Sequence, residues 1–336
     1  MALVSRPCEI MAGMAMPPLN MDNILITGGA GFIGSHLAQR LVRDGQRLAI
    51  VDNLDEYYPA DLKRANLEEV KARGEFQFFP IDIRDGDKLR GVFAAFQPDA
   101  VIHLAARAGV RMSFAQPEAY TSINVLGTLQ VLEISRLSGV QRIVFASSSS
   151  VYGHSSRAPF REDANISHPL SIYAATKVAG EALAFTYSHA YPLSVVCLRL
   201  FTVYGPRQRP DLAIRKFAGM ILEGKEVPIF GDGSLERDYT YIDDIVDGIL
   251  RALDAPGQFE VFNLGNSHPV RIDQMVDALG RALERPVLRK FIPTPTGEML
   301  LTHADLTKAR QMLGYSPQVS FEDGIRRFAE WLKNRA

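Results

Sequence analysis

Ile24-Leu25-Ile26-Thr27-Gly28-Gly29-Ala30-Gly31-Phe32-Ile33-Gly34 decides how this chain folds. An apolar run stops abruptly at glycines spaced three apart (Gly28, Gly31, Gly34), and a helical pattern opens immediately behind them. Such a turn lets backbone approach a pyrophosphate closely, and the phosphates then rest on N–H groups at the helix N-terminus. Glycine triplets also make ordinary turns, but here strand, turn, helix and a later acid agree. The acid is Asp52, which ends the apolar run Leu48-Ala49-Ile50-Val51. Its carboxylate can accept both hydroxyls of an adenosine ribose and repels a 2′-phosphate, so NAD is expected rather than NADP. Phe32 and Ile33 in the turn, Asn53 beside the acid and Asp82-Ile83 after the third strand extend the expected cofactor wall. Leu104-Ala105-Ala106 after the fourth strand offers small residues where a cofactor passes, and neighbouring His103 reads as a satisfied core histidine.

Outward from this turn, short apolar runs alternate with amphipathic stretches. Strands are expected at Asn23–Thr27, Arg47–Val51, Phe76–Pro80, Ala100–Leu104, Arg142–Ser147 and Ser194–Leu200. Helices are expected at Gly31–Asp44, Ala60–Ala72, Asp85–Phe96, Pro117–Leu137 and Ser171–Ala190. Nearly continuous Ile, Val, Leu and Phe in the strands is the mark of a parallel sheet covered on both faces. The fold class is therefore α/β: a Rossmann-type doubly wound parallel sheet with a smaller C-terminal α/β substrate domain. After Gly205 the rhythm breaks at Pro206, Pro210, Gly224, Pro228, Gly231 and Gly233, before helices at Arg271–Leu283 and Phe321–Lys333. The expected division is 21–202 plus about 239–264 for the nucleotide domain, and 203–238 plus 265–336 for the substrate domain.

Tyr173-Ala174-Ala175-Thr176-Lys177 places a phenol and an ammonium one helical turn apart on one face. A phenol titrating near 10 is a poor base at neutral pH. A neighbouring ammonium and a positive nicotinamide favour the phenolate and bring it within working range. An i,i+4 pair is also ordinary helix surface. Ser147-Ser148-Ser149-Ser150 argues otherwise, because it ends a parallel strand, where such folds place ligands. Four serines at a buried strand end are a costly arrangement without a polar partner.

Composition excludes other classes. Over 336 residues the formal net charge is −1 and no basic run stands out, so nucleic acid is not an expected partner. Cys8 and Cys197 lie far apart without metal-ligand spacing, which argues for a reducing cytoplasm, no disulfide and no metal. Residues 1–20 read as a disordered extension whose apolar part, broken by Gly13, is too short for a secretory signal. No stretch approaches the length of a membrane span.

From Met21 onward the chain resembles the extended short-chain dehydrogenase/reductase family, the NAD-dependent sugar epimerases and dehydratases. The resemblance is carried by Asp52–Tyr58, Ala105–Arg111, Ser147–Gly153, Ser171–Lys177, Phe201–Gly205, Arg209–Asp211 and Arg237–Asp244. Within that family the nearest branch is the one that inverts C4 of UDP-glucuronate. The resemblance implies that Tyr173 removes the C4-hydroxyl proton while hydride passes to tightly held NAD⁺. The 4-keto sugar then turns over and takes the hydride back on its other face. It further implies that Ser148 works beside Tyr173, that Lys177 lowers the tyrosine pKa and binds the nicotinamide ribose, that Asn124 braces the cofactor side, and that Arg237 meets the UDP phosphates. Oxidised UDP-glucuronate is a β-keto acid prone to lose CO₂, so Ser149, Ser150 and Thr202, with Arg209 or Arg111 nearby, are expected to hold its carboxylate. Relatives dimerise through the two helices found here at Pro117–Leu137 and Ser171–Ala190, so a homodimer is expected.

Departures keep alternatives open. Arg207-Gln208 stands where the glucuronate branch carries Trp-Gly, and Gly231–Ser234 is similar to the neutral-sugar epimerases, so a UDP-glucose/UDP-galactose 4-epimerase is the runner-up. A 4,6-dehydratase would carry Thr-Asp-Glu where this chain has Ser148-Ser149-Ser150. A UDP-glucuronate decarboxylase would carry an acid between Tyr173 and Lys177. A non-catalytic NAD sensor is the reading from another class, and retention of both Tyr173 and Lys177 argues against it.

Overall fold

The computed structural model of the protein describes residues 21–153, 157–294 and 299–335, so the expected extension at 1–20 lies outside the described residues. The elements run β1 (Asn23–Thr27), α1 (Phe32–Arg43), β2 (Arg47–Val51), α2 (Ala60–Lys71), β3 (Gln77–Phe79), α3 (Gly86–Phe96), β4 (Ala100–His103), α4 (Val110–Ala115) and α5 (Pro117–Thr121). They continue with α6 (Thr128–Leu137), β5 (Arg142–Ser148), α7 (Ile172–Ala190), β6 (Ser194–Leu200), β7 (Thr202–Tyr204), α8 (Ala213–Leu222) and β8 (Val227–Phe230). Last come β9 (Glu236–Tyr241), α9 (Ile242–Leu253), β10 (Phe259–Leu264), β11 (Pro269–Arg271), α10 (Ile272–Leu283), β12 (Arg289–Ile292), α11 (Thr307–Leu313) and α12 (Phe321–Lys333).

Seven strands form one parallel sheet in the order β10-β6-β5-β4-β1-β2-β3. Side chains alternate along its strands and feed two cores. Ile24, Ile26, Leu48, Ile50 and Ile102 enter one core, while Leu25, Ala49, Val51, Val101 and Phe145 enter the other. The strand order reverses at β1, which lies between β2 and β4, so a crevice opens beyond the C-terminal ends of β1 and β4. Glycine turn, acid and serine run all emerge along that edge.

The C-terminal part adds a three-stranded sheet, β11-β9-β7, and a parallel pair, β12-β8. Of the stretch 239–264, Tyr239–Tyr241 stays in β9, whereas β10 pairs with β6 in the main sheet. The single helix expected at Pro117–Leu137 is instead α5, a π-helical turn at Ser122–Gly127, and α6. The widened turn has a cause. Asn124 within it donates to Arg107 O (2.9 Å) and Thr176 Oγ1 (3.0 Å), and accepts from Arg107 N (2.8 Å). Among the described residues no helix is long and apolar enough to cross a membrane.

Candidate active site

The crevice holds a cleft of about 500 Å³. Its floor at one end is the glycine turn. Gly28 has φ +75°, and a Cβ there would lie 2.7 Å from Ala105 N, so the turn and the β4 loop meet at a distance a larger residue forbids. Helix α1 points its N-terminus into the same end with no acid in its first turn. Asp52 emerges beside it, buried, accepting from Ala30 N (3.1 Å) and Leu54 N (2.9 Å). Burial pushes its carboxyl above the usual range, and Lys63 opposes this. Phe32, Ile33, Gly31, Gly34, Asn53, Asp82, Ile83, Leu104, Ala105 and Ala106 line the cleft as well. Asp82 is held by Arg84 Nη2 (2.7 Å) and Asn53 Nδ2 (2.9 Å), and the Arg84 hydrogen bonds keep its carboxyl low. These features fit a dinucleotide: a glycine cradle, a helix N-terminus free of negative charge and one buried acid at the second strand end.

At the other end Ser147, Ser148, Ser149, Ser150, Tyr173, Lys177, Thr202 and Arg209 line the cleft together. Ser171 caps α7 by accepting from Ala174 N (3.1 Å), which starts the helix so that Tyr173 falls in its first turn and faces the strand ends. Burial pushes the Tyr173 phenol above its ordinary value, while the nearby Ser148 hydroxyl and the Arg209 guanidinium oppose that. Lys177 Nζ donates to Ala146 O (2.6 Å) and lies over the Phe145 ring. Burial brings its ammonium down to about 8, with Glu181 holding it up. Arg209 forms a bidentate pair with Asp211, donates to Ala108 O (3.2 Å) and covers the Tyr57 ring.

His103 is a brace. Thr128 Oγ1 donates to Asn124 O (2.6 Å), so it accepts from His103 Nε2 (3.0 Å), leaving Nδ1 to accept from Thr27 Oγ1 (2.6 Å). Burial brings its pKa down to about 3, and nearby Lys177 pushes the same way.

Three of the expected residues do not line this cleft. Asn124 acts one layer back, on the Arg107 backbone and Thr176. Arg111 stacks on Phe230, with its guanidinium 4.4 Å from the ring centroid. Arg237 lies in β9 and donates to Glu236 O (2.8 Å). Arg207 does not face the sugar end either. It is buried against the cofactor-side helices, donating to Gln39 Oε1 (2.8 Å) and Glu69 Oε2 (3.1 Å).

A family model described as GDP-mannose 4,6 dehydratase matches residues 25–328. The chain belongs to that family, within the extended short-chain dehydrogenases/reductases. It is 42% identical to a UDP-glucuronate 4-epimerase of Thermodesulfobacterium geofontis over 93% of this chain and 97% of that one. The solved UDP-glucuronic acid 4-epimerase of Bacillus cereus, in complex with UDP-glucuronic acid and NAD, superposes with a TM-score of 0.88 at 38% identity, covering 93% of this chain and 99% of that one. The UDP-glucose 4-epimerase of Thermotoga maritima, solved with UDP-glucose, gives a TM-score of 0.86 at 33% identity, covering 93% and 99%.

Other members of the cleft were given no individual role by the sequence. Lys63 is buried in α2, donates to Asp55 O (2.6 Å) and lies over the Tyr58 ring. Asp55 pairs with Arg107 and so joins the β2 loop to the β4 loop across the cleft. Glu181 stands behind Ser147. Its spacing of four from Lys177 was visible, but the partner that makes it tolerable in the core, Arg199, comes from another strand.

Proposed function

We propose that this protein is an NAD-dependent UDP-sugar 4-epimerase that interconverts UDP-glucuronate and UDP-galacturonate. The carrying observation is the composition of the sugar end of the cleft. Tyr173 and Ser148 line it together, and Ser149, Ser150, Thr202 and Arg209 join them without a carboxylate from the β5 or β6 strand end. NAD held by the glycine turn and Asp52 would supply two-electron redox chemistry at sugar C4. The protein's own residues handle the proton and the pose. Ser148 orients the C4 oxygen, and Tyr173 takes its proton and later returns one. Lys177 anchors the cofactor side of the pair. Neutral hydroxyls at 149, 150 and 202, with Arg209, hold the uronate carboxylate in place, which resists loss of CO₂ from the β-keto acid.

Dehydration is disfavoured because Ser148-Ser149-Ser150 offers no acid to move protons at C5 and C6. The similarity to a UDP-glucose 4-epimerase keeps a neutral hexose as the second reading. An NMR time course on UDP-glucuronate and on UDP-glucose, without added NAD, separates them. Conversion of the uronate alone supports the proposal, while conversion of the hexose alone, or release of UDP-xylose, contradicts it. Action in the cytoplasm belongs to the same reading, as does a homodimer. Leu126, Leu137 and Phe185, all more than half exposed, give the α6 and α7 region an apolar outer surface, and sedimentation reads the state.

A further inference from the structure

Behind the catalytic pair lies an ion pair that the reaction as described does not use. Ser147 of β5 and Arg199 of β6 are register partners, so their side chains leave the sheet on the same face, the one α7 covers. Glu181 comes down onto them from α7. Its Oε1 accepts from Ser147 Oγ (2.5 Å) and Arg199 Nε (3.0 Å), and its Oε2 accepts from Arg199 Nη2 (2.8 Å). Both side chains of the pair are buried, at 4% and 7% exposed. Lys177 stands one turn earlier on the same helix face, and its Nζ is bonded to the carbonyl of Ala146, next to Ser147.

An ammonium in such a place needs a counter-charge, because burial without one favours the neutral amine. The titratable and charged groups packed around it are His103 of β4, Cys197 and Arg199 of β6, and Tyr173 and Glu181 of α7. His103 is neutral, and burial holds the Cys197 thiol far up, so it carries no charge either. Of these groups Glu181 alone carries a negative charge at neutral pH.

We propose that Glu181 is a positioning residue for the Tyr173/Lys177 pair: locked by Arg199 and Ser147, it keeps the buried Lys177 side chain charged where it meets the cofactor. Arg199 fixes the carboxylate and lets it be buried. Ser147, at the strand end, ties the same carboxylate to the wall of the cleft. The inference rests on the reading that NAD occupies the cleft. It adds that the charge on Lys177 is set from the far side of the helix by a group that touches neither sugar nor cofactor.

The test is NAD⁺ affinity by calorimetry from pH 6 to 10, which needs no sugar substrate. In the wild type, affinity falls on the basic side as Lys177 loses its proton near pH 8, and Lys177→Met lacks that limb. Glu181→Gln moves the limb down by about one pH unit, which is roughly fivefold weaker binding at the old midpoint and approaches tenfold above it. The double variant Glu181→Gln/Arg199→Met also moves it down, by less because a neighbouring cation is lost too, and buries no unpaired charge, so it carries the result if the single variant loses its cooperative melt. Arg199→Met alone does not move the limb down. Parallel losses at every pH, or a limb unmoved in both Gln variants, would overturn the proposal and leave the pair as a cross-link between α7 and β6. A wild type that shows the limb but turns over no UDP-sugar sinks the functional reading alone.

Discussion

Gly34→Ala tests whether the glycine turn is a cradle or merely a turn. A Cβ at position 34 would sit 2.6 Å from Gly29 Cα and 3.0 Å from Gly28 C, and closer still to the Gly28 carbonyl oxygen. Carbon atoms pack comfortably at roughly 3.5–4.0 Å, so α1 has to withdraw from the turn by roughly 1 Å. No flexible side chain can absorb that, because the atoms it meets are backbone. Overpacking of this kind costs about 1–3 kcal/mol of stability. The larger effect falls on the ligand: a displacement of about 1 Å at a preorganised site costs on the order of 100-fold, or about 2.7 kcal/mol. Calorimetric NAD⁺ affinity and a thermal melt, run side by side, separate the two effects. Gly91→Ala is the control, since a Cβ there meets nothing within 4 Å in the middle of α3. It gains about 0.5–1 kcal/mol of stability and leaves affinity unchanged. Gly34→Ala protein that binds NAD⁺ within twofold of wild type would refute the cradle.

Asp52→Asn keeps the shape beside Ala30 N and Leu54 N but drops the charge that repels a 2′-phosphate. The NAD/NADP affinity ratio falls by roughly tenfold or more, and an unchanged ratio contradicts the assignment. His103 stays neutral in the folded protein down to about pH 3, while the unfolded chain takes up a proton below its ordinary value near 6.5. Protons therefore favour unfolding between those limits, and stability present above pH 6.5 is lost as pH falls. Urea melts at pH 7.5 and 5.0 should show His103→Gln losing about 2 kcal/mol less than wild type between the two. Thr202→Val removes one neutral donor from the sugar end, lowering kcat/KM on UDP-glucuronate by roughly 10-fold or more; unchanged turnover removes Thr202 from the carboxylate's partners.

The sheet was readable because its strands are buried on both faces, so each is an apolar run bounded by glycine, proline or charge. The glycine turn with Asp52 then placed the ligand edge. Elements whose geometry depends on distant partners were not readable. Nothing in Ser122-Ile123-Asn124-Val125-Leu126-Gly127 departs from an ordinary helix. The π-helical turn there exists because Asn124 reaches Arg107 and Thr176. Arg207, read as a mark of the sugar pocket, instead clamps the loop after β7 onto Gln39 and Glu69, because the chain folds back on α1 and α2 at that point. The spacing of Lys177 from Tyr173 fixes a shared face, but not the bond from its ammonium to the carbonyl of Ala146 near the end of β5.

Tyr173 is the group on which the account depends, since it sets a phenol beside the serine run at the sugar end of the cleft. Tyr173→Phe removes one oxygen atom and leaves the apolar ring contact with Tyr120, at 6.4 Å between centroids, in place. The decisive measurement is the rate of UDP-galacturonate formation from UDP-glucuronate by that variant, with bound NAD checked in the same sample. The account predicts retained cofactor and a rate lowered by roughly 10²–10⁴-fold; a Phe variant that holds NAD and epimerises at the wild-type rate would contradict it.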